Sequence, residues 1–205
     1  MFIESINFIL IIFLATIQSI IGIGVLVLGT PILLLINVPM LDTINFLLPV
    51  SIITSLLNIF IFKIKKNFLF NIERFKNFLI ICLPSVFIGL VLLKFFHKFL
   101  NFDYLVSSII IISLIFRNNI SKFLNKMSKI VNYSILMFIG IIHGLSNSGG
   151  SLLSMILINL NNSKSETRSE ITLFYLLLVL VQFTIFCILF GFNQDLVQLS
   201  RNTLY

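Results

Sequence analysis

Charge is what this sequence lacks most. Only 10% of its 205 residues are Asp, Glu, Lys or Arg, against 59% hydrophobic ones, and the mean hydropathy is +1.14. That leaves too little polar surface to clothe a soluble globule, so the chain reads as an integral membrane protein. Its apolar runs are long and continuous and do not alternate every second residue, which excludes barrel strands and gives helical spans. Cysteine is nearly missing too: Cys82 and Cys187 both fall in apolar runs, so neither a disulfide nor a metal site is expected. There is no His-rich metal pattern, no phosphate loop with its lysine and no nucleophile with a base. An enzyme is therefore not expected, nor is a cofactor. The start is apolar without being a signal peptide. Glu4 precedes the first apolar run with no Lys or Arg, and no small-residue cleavage site follows, so it is expected to be retained as a span.

What the chain does have is a pair of matching helix-breaking cassettes 125 residues apart. The first runs from Ala15 through Gln18, Ser19 and Gly22 to Gly24, and the second from Gly140 through His143 and Gly144 to Gly149 and Gly150. Ala15 aligns with Gly140, Ser19 with Gly144, Gly22 with Asn147 and Gly24 with Gly149. Duplicated breaks inside apolar segments are how many transporters build a site at mid-membrane.

The spacing predicts helices over 6–22 and 25–37, then 43–62 with Pro49, 77–96 with Pro84, and 104–116. The pattern restarts over 132–147 and 150–160 and closes with 171–192. A thirteen-residue piece such as 25–37 reaches only about 20 Å of a roughly 30 Å hydrocarbon core, so it is a half-helix or re-entrant arm. The fold expected is an all-α integral membrane protein, a polytopic helical bundle of two repeats with broken helices. Residues 1–125 form the first repeat and 126–205 a second, shortened one. Two full copies would need about 250 residues, so one or two closing helices are expected to be missing, and a partner subunit or a homo-oligomer could supply them.

The formal charge of +7 reflects loops, not a nucleic-acid face. Lys63, Lys65, Lys66, Arg74 and Lys76 cluster in one connection and Arg117, Lys122, Lys126 and Lys129 in another, and both are placed in the cytoplasm. If each cassette enters and leaves by one face, the repeats are inverted; a parallel arrangement follows if the short arms cross. Asp42 is read as a cap for the following helix, and Arg168, beside Lys164, Glu166 and Glu170, as part of a solvated loop. The 23 phenylalanines are read as lipid-facing bulk.

Between Ser5 and Phe62 the one charged side chain is Asp42, and between Val131 and Ser163 there is none unless His143 is protonated. An oxyanion can still be held there by backbone N–H groups at half-helix starts, at the positive end of the helix dipole. Gly24, Gly149 and Gly150 allow close backbone approach, while His143, Ser146, Asn147, Ser148 and Ser151 supply polar side chains. His143, Ser146 and Asn147 share one helical face. Gln18 is the counterpart of His143, and it joins Ser19 and Gly22 as a candidate in the first cassette. Ser19, Gly22 and Gly140 would serve close helix packing equally well.

The glycine spacing Gly140, Gly144, Gly149, Gly150, followed by an apolar arm and a span after Arg168, resembles the second-half motif of the sulfite exporter TauE/SafE family. Ser19, Gly22, Gly24 and Pro31 resemble its first-half motif, with Ala15 and Ser19 standing where glycines are common and Val25 replacing the last glycine. The resemblance implies a multi-pass permease of the bacterial inner membrane for sulfite, sulfoacetate or related organosulfur anions. The rival is a non-transporting membrane subunit or assembly protein that retains the scaffold.

Cysteines introduced at Lys65 and Lys126 should be protected from an impermeant thiol reagent in intact cells and labelled once the membrane is opened. Labelling of either site from outside would overturn the orientation.

Overall fold

The computed structural model describes residues 2–64, 69–116, 129–160 and 163–191, with side chains described from residues 9 and 130 onward in the first and third stretches. Lys65, Lys66, Arg117, Lys122 and Lys126 of the two basic connections lie outside them, whereas Lys63, Arg74, Lys76 and Lys129 fall in described helices. Among the described residues there are helices and no strand: α1 Phe2–Ile21, α2 Val25–Leu35, α3 Met40–Ile64, α4 Ile72–Asn77, a π-turn Phe78–Cys82, and α5 Leu83–Phe96. Then come α6 Phe102–Phe116, α7 Lys129–Ser146, α8 Gly149–Leu160 and α9 Lys164–Phe190. The all-α membrane architecture expected from composition is what the chain adopts. Among the described residues three helices, Met40–Ile64, the continuous Ile72–Phe96 and Lys164–Phe190, are long and apolar enough to cross a membrane.

Local chemistry sets the ends of these helices. α2 stops where Asn37 takes a left-handed conformation (φ 61°). Asn37 N–H then bonds Leu34 O at 2.8 Å and Val38 N–H bonds Leu33 O at 3.0 Å, closing the last turn as a Schellman motif. Pro84 offers no N–H to the turn before it and its ring would crowd that turn, and the helix widens there into the π-turn, where Leu83 N–H reaches back to Phe78 O. Asp42 lies in the first turn of α3 and not at its cap, where its charge still faces the positive helix end. α9 begins seven residues before the predicted 171, because Ser163 accepts from Glu166 N–H at 3.1 Å and caps the charged stretch as helix.

Element ends recur at the 125-residue step: Ile21 and Ser146, Leu35 and Leu160. So does the geometry of the turns, since Gly22 (φ 97°) and Asn147 (φ 60°) both have positive φ. Each cassette is an antiparallel hairpin. A Cβ on Gly24 would meet the Gln18 backbone at 2.9 Å, and one on Gly149 would meet Cβ of His143 at 2.5 Å. Leu34, Met40, Leu100 and Phe102 line one cavity, of about 380 Å³, so α2 ends at the face where α3 begins. Arg74, Asn77, Asn132, Tyr133 and Leu160 line another, of about 150 Å³, so α7 starts and α8 ends beside the start of α4.

Small residues hold the two halves together. On α7, Gly140 packs on the Cys82 carbonyl and Ser85, and Gly144 packs on the Val86 carbonyl, while Gly89 of α5 packs on the Ile141 carbonyl. Ser85 and Gly89 thus interdigitate with Gly140 and Gly144 at four-residue spacing, letting the backbones touch where lipid supplies no hydrophobic drive. Phenylalanine divides between two duties. Phe13, Phe60, Phe95 and Phe138 are exposed, whereas Phe78 and Phe174 are buried and stack at 4.5 Å between centroids.

Gly144→Val would drive two methyl groups into the α5 backbone, an overpacking worth about 1–3 kcal/mol or more. Its thermal midpoint in detergent should fall by several degrees, while truncation of the lipid-exposed Ile188 to Ala should leave it unchanged. Equal midpoints for the two variants would refute the close backbone packing.

Candidate functional site

A set of polar side chains is buried among the described helices. Gln18, Thr30, Ser51, Ser55, Asn58, His143, Ser146, Asn147, Ser148 and Gln182 are all at most 3% exposed. They form two clusters, one at each break.

At the first break Gln18 acts as the cap of α2. Its Nε2 donates to Ser51 O at 3.0 Å, Thr54 Oγ1 at 2.6 Å and Ser55 Oγ at 2.8 Å. Its Oε1 accepts from Val25 N–H, the first amide of α2, at 3.0 Å. The second amide, Leu26 N–H, bonds the Tyr175 hydroxyl of α9 at 3.2 Å. Two donors that a helix start leaves unpaired are therefore met by protein groups. Asn58 Nδ2 donates to Gln18 O at 3.2 Å on the other side of the turn. The end of α1 is held by Arg168, whose guanidinium donates to Ser19 O and lies 5.0 Å over the Phe62 ring. A cation at a helix C-terminus meets its partial negative charge. Arg168 is thus a docked helical residue and not part of a solvated loop. Its neighbour Glu170, fully buried, pairs with Arg74 at 2.8 Å and accepts from Asn71 N–H at 3.2 Å, tying α4 to α9.

The second break is organised around Asn147. Its Nδ2 donates to Thr30 Oγ1 on α2 at 3.1 Å, and its Oδ1 accepts from Gln182 Nε2 on α9 at 2.7 Å. Gln182 Nε2 also donates to His143 O at 3.2 Å, so α9 treats His143 as α3 treats Gln18. Three serines turn back on the chain: Ser146 Oγ to Ile142 O at 2.9 Å, Ser148 Oγ to Ser146 O at 3.1 Å, Ser151 Oγ to Ser148 O at 2.7 Å. Gly149 and Gly150 open α8, where N–H groups have no acceptor within the helix. The His143 imidazole is the exception to this satisfaction. Fully buried, it has neither ring nitrogen hydrogen-bonded, and it meets the Tyr175 ring edge-on at 6.1 Å.

The two breaks touch. Asn147 bonds Thr30, and a Cβ on Gly150 would lie 2.8 Å from the Tyr175 ring and 3.1 Å from Val27. Gln18, Gly24, His143, Ser146, Asn147, Ser148, Gly149 and Gly150 thus belong to one buried region. Ser19 and Gly22 face α9, against Arg168, Ile171 and Thr172.

A sequence model of the family described as Sulfite exporter TauE/SafE matches residues 7–200. The chain belongs to the sulfite exporter TauE/SafE family. No curated protein and no solved structure matches it. The match spans both breaks and all the described helices apart from the start of α1, so the TauE/SafE assignment covers the whole polar region.

Sequence reasoning missed the partners of the cassettes. Ser51, Thr54, Ser55 and Asn58 fall at helical spacing on one face of an otherwise apolar span, a legible polar stripe. Tyr175, and Gln182 as the one amide of α9 among the described residues, carry the weaker signal of a polar group inside a membrane segment.

Gln18→Leu strands the Val25 amide and the α3 hydroxyls, costing about 1–3 kcal/mol for the amide alone. Tyr175→Phe strands the Leu26 amide in the same way but leaves the three α3 oxygens that Gln18 binds satisfied. The thermal midpoint should fall more for Gln18→Leu than for Tyr175→Phe, and the reverse order would refute the capping role of Gln18.

Proposed function

We propose that this chain is a permease of the bacterial inner membrane that carries small sulfur oxyanions, sulfite, sulfoacetate or related organosulfur anions, through a site between the two breaks. In this reading residues 1–125 and 126–205 are two repeats of inverted topology, with the first hairpin opening to the outside and the second to the cytoplasm. Helix ends recurring at one step, with the first hairpin open beside the start of α3 and the second beside the start of α4, support that relation. The site would comprise Gln18, Ser19, Gly22 and Gly24 from the first half and His143, Ser146, Asn147, Ser148, Gly149 and Gly150 from the second. Gln18, Asn147 and the serines already bond within the protein, and they would act by holding the two breaks in shape.

The observation that carries the reading is the unmet imidazole of His143. A fully buried polar group without a partner is costly, and an ionisable one inside a membrane protein marks a solute path by default. Family membership supplies the chemical class, and the opening amides of α8 supply donors for an oxyanion.

Sulfite binding to the purified full chain, followed by calorimetry, tests this. His143→Leu keeps the volume and removes the unmet nitrogens, so the fold should hold its thermal midpoint or gain. Loss of a hydrogen bond to a charged ligand costs about 1.5–3 kcal/mol, so binding should weaken roughly ten- to a hundredfold. Unchanged binding in that variant would favour the non-transporting subunit, with the breaks serving packing alone.

A further inference from the structure

Three buried atoms at the second break have no hydrogen-bond partner: His143 Nδ1, His143 Nε2 and Gln182 Oε1. The Gln182 amide cannot be turned the other way. Its nitrogen meets two carbonyl oxygens, those of His143 and Asn147, so its oxygen is the atom left over. A neutral imidazole offers one donor and one acceptor. The unmet set is then two acceptors and one donor, a poor match for an oxyanion, whose oxygens only accept. A proton on His143 reverses the balance to two donors and one acceptor and adds a positive charge. An imidazolium alone or an anion alone is expensive in a buried membrane site, and each lowers the cost of the other when they arrive together.

We propose that His143 takes up one proton when an oxyanion binds between the breaks, so that the site holds an anion and a proton as a pair. The inference rests on the permease reading above and names its coupling ion. The proton passes from bulk water to an imidazole nitrogen, and no covalent bond of the anion is made or broken. Gln182 Oε1 then serves as the acceptor for one imidazolium N–H or for a proton shared with the anion.

The surroundings of His143 provide no competing counter-ion in contact. Among the described residues, the titratable group against the ring is Tyr175 of α9. Cys82 of the π-turn abuts Gly140, on the preceding turn of α7. The charged groups on neighbouring helices are Lys94 near the end of α5, Asp103 at the start of α6, and Lys164, Glu166, Arg168 and Glu170 in the first two turns of α9. Of these, Arg168 is bound to Ser19 and Glu170 to Arg74.

Isothermal titration of the full chain with sulfate, which carries no proton near neutral pH, in two buffers of different ionisation enthalpy counts the protons exchanged. About one proton should be taken up per sulfate bound, and affinity should fall about tenfold per unit of rising pH above the pKa of free His143. His143→Gln, which cannot be protonated, should bind with no proton uptake and lose that slope. Binding by the native chain with no proton exchanged overturns the inference alone, and so does full uptake in His143→Gln. If neither sulfate nor sulfite binds, the permease reading falls and takes the inference with it. Should His143→Gln fail to fold, the proton count of the native chain still decides.

Discussion

A helix that stops inside a membrane strands backbone donors and acceptors where no water can meet them, and this protein does so twice. The rest of the structure depends on how those groups are satisfied. At the first break the answer is Gln18, whose amide nitrogen is held by three α3 oxygens while its oxygen caps Val25. That single side chain fixes the position of α2 against both α1 and α3. The polar stripe Ser51, Thr54, Ser55 and Asn58 is therefore what holds the cap of the broken helix in place.

Close glycine packing is the second requirement. A hairpin of two half-helices can place its turn at mid-membrane only if the returning arm fits against the arriving one, and Gly24 and Gly149 do this by lying against Gln18 and His143. The same economy joins α5 to α7, where Gly89, Gly140 and Gly144 bring carbonyl oxygens against Cα atoms. From the sequence Gly140 serves packing or the site equally well and Gly149 allows close approach of a ligand; the surroundings of both are packed protein.

Much of the fold was legible because it follows from short-range rules. Composition gave the class, and Gly22 with Gly24 and Asn147 with Gly149 marked the breaks, since positive φ and close approach favour those residue types. The 125-residue step located the second hairpin from the first. Side-chain partnership across helices was not legible. Arg168 reads as solvated because its sequence neighbours are charged, yet it is defined by Ser19 and Phe62, which lie more than a hundred positions away. Tyr175 and Gln182 escaped for the same reason: their role exists only when α9 lies against both breaks. Pro84 is legible as a proline in a span, but whether the helix kinks there or widens into a π-turn is not.

The two breaks solve one backbone problem with unlike side chains, and that difference separates scaffold from site. Asn58 donates to the Gln18 carbonyl and Gln182 to the His143 carbonyl, so the main-chain demand is the same in both halves. The Gln18 side chain is then spent on capping, whereas the His143 imidazole is spent on nothing. At the breaks the halves are joined by hydrogen bonds from Asn147 to Thr30, Leu26 to Tyr175 and Arg168 to Ser19. Opening the first hairpin would break the whole Gln18 set. Parting the halves at the breaks would leave the Gln18 set whole and would uncover His143, Gln182 and the opening amides of α8 together. In the permease reading proposed above, the Gln18 set would keep the first hairpin in shape while the unmet groups, and with them the capacity to bind, lie on the second.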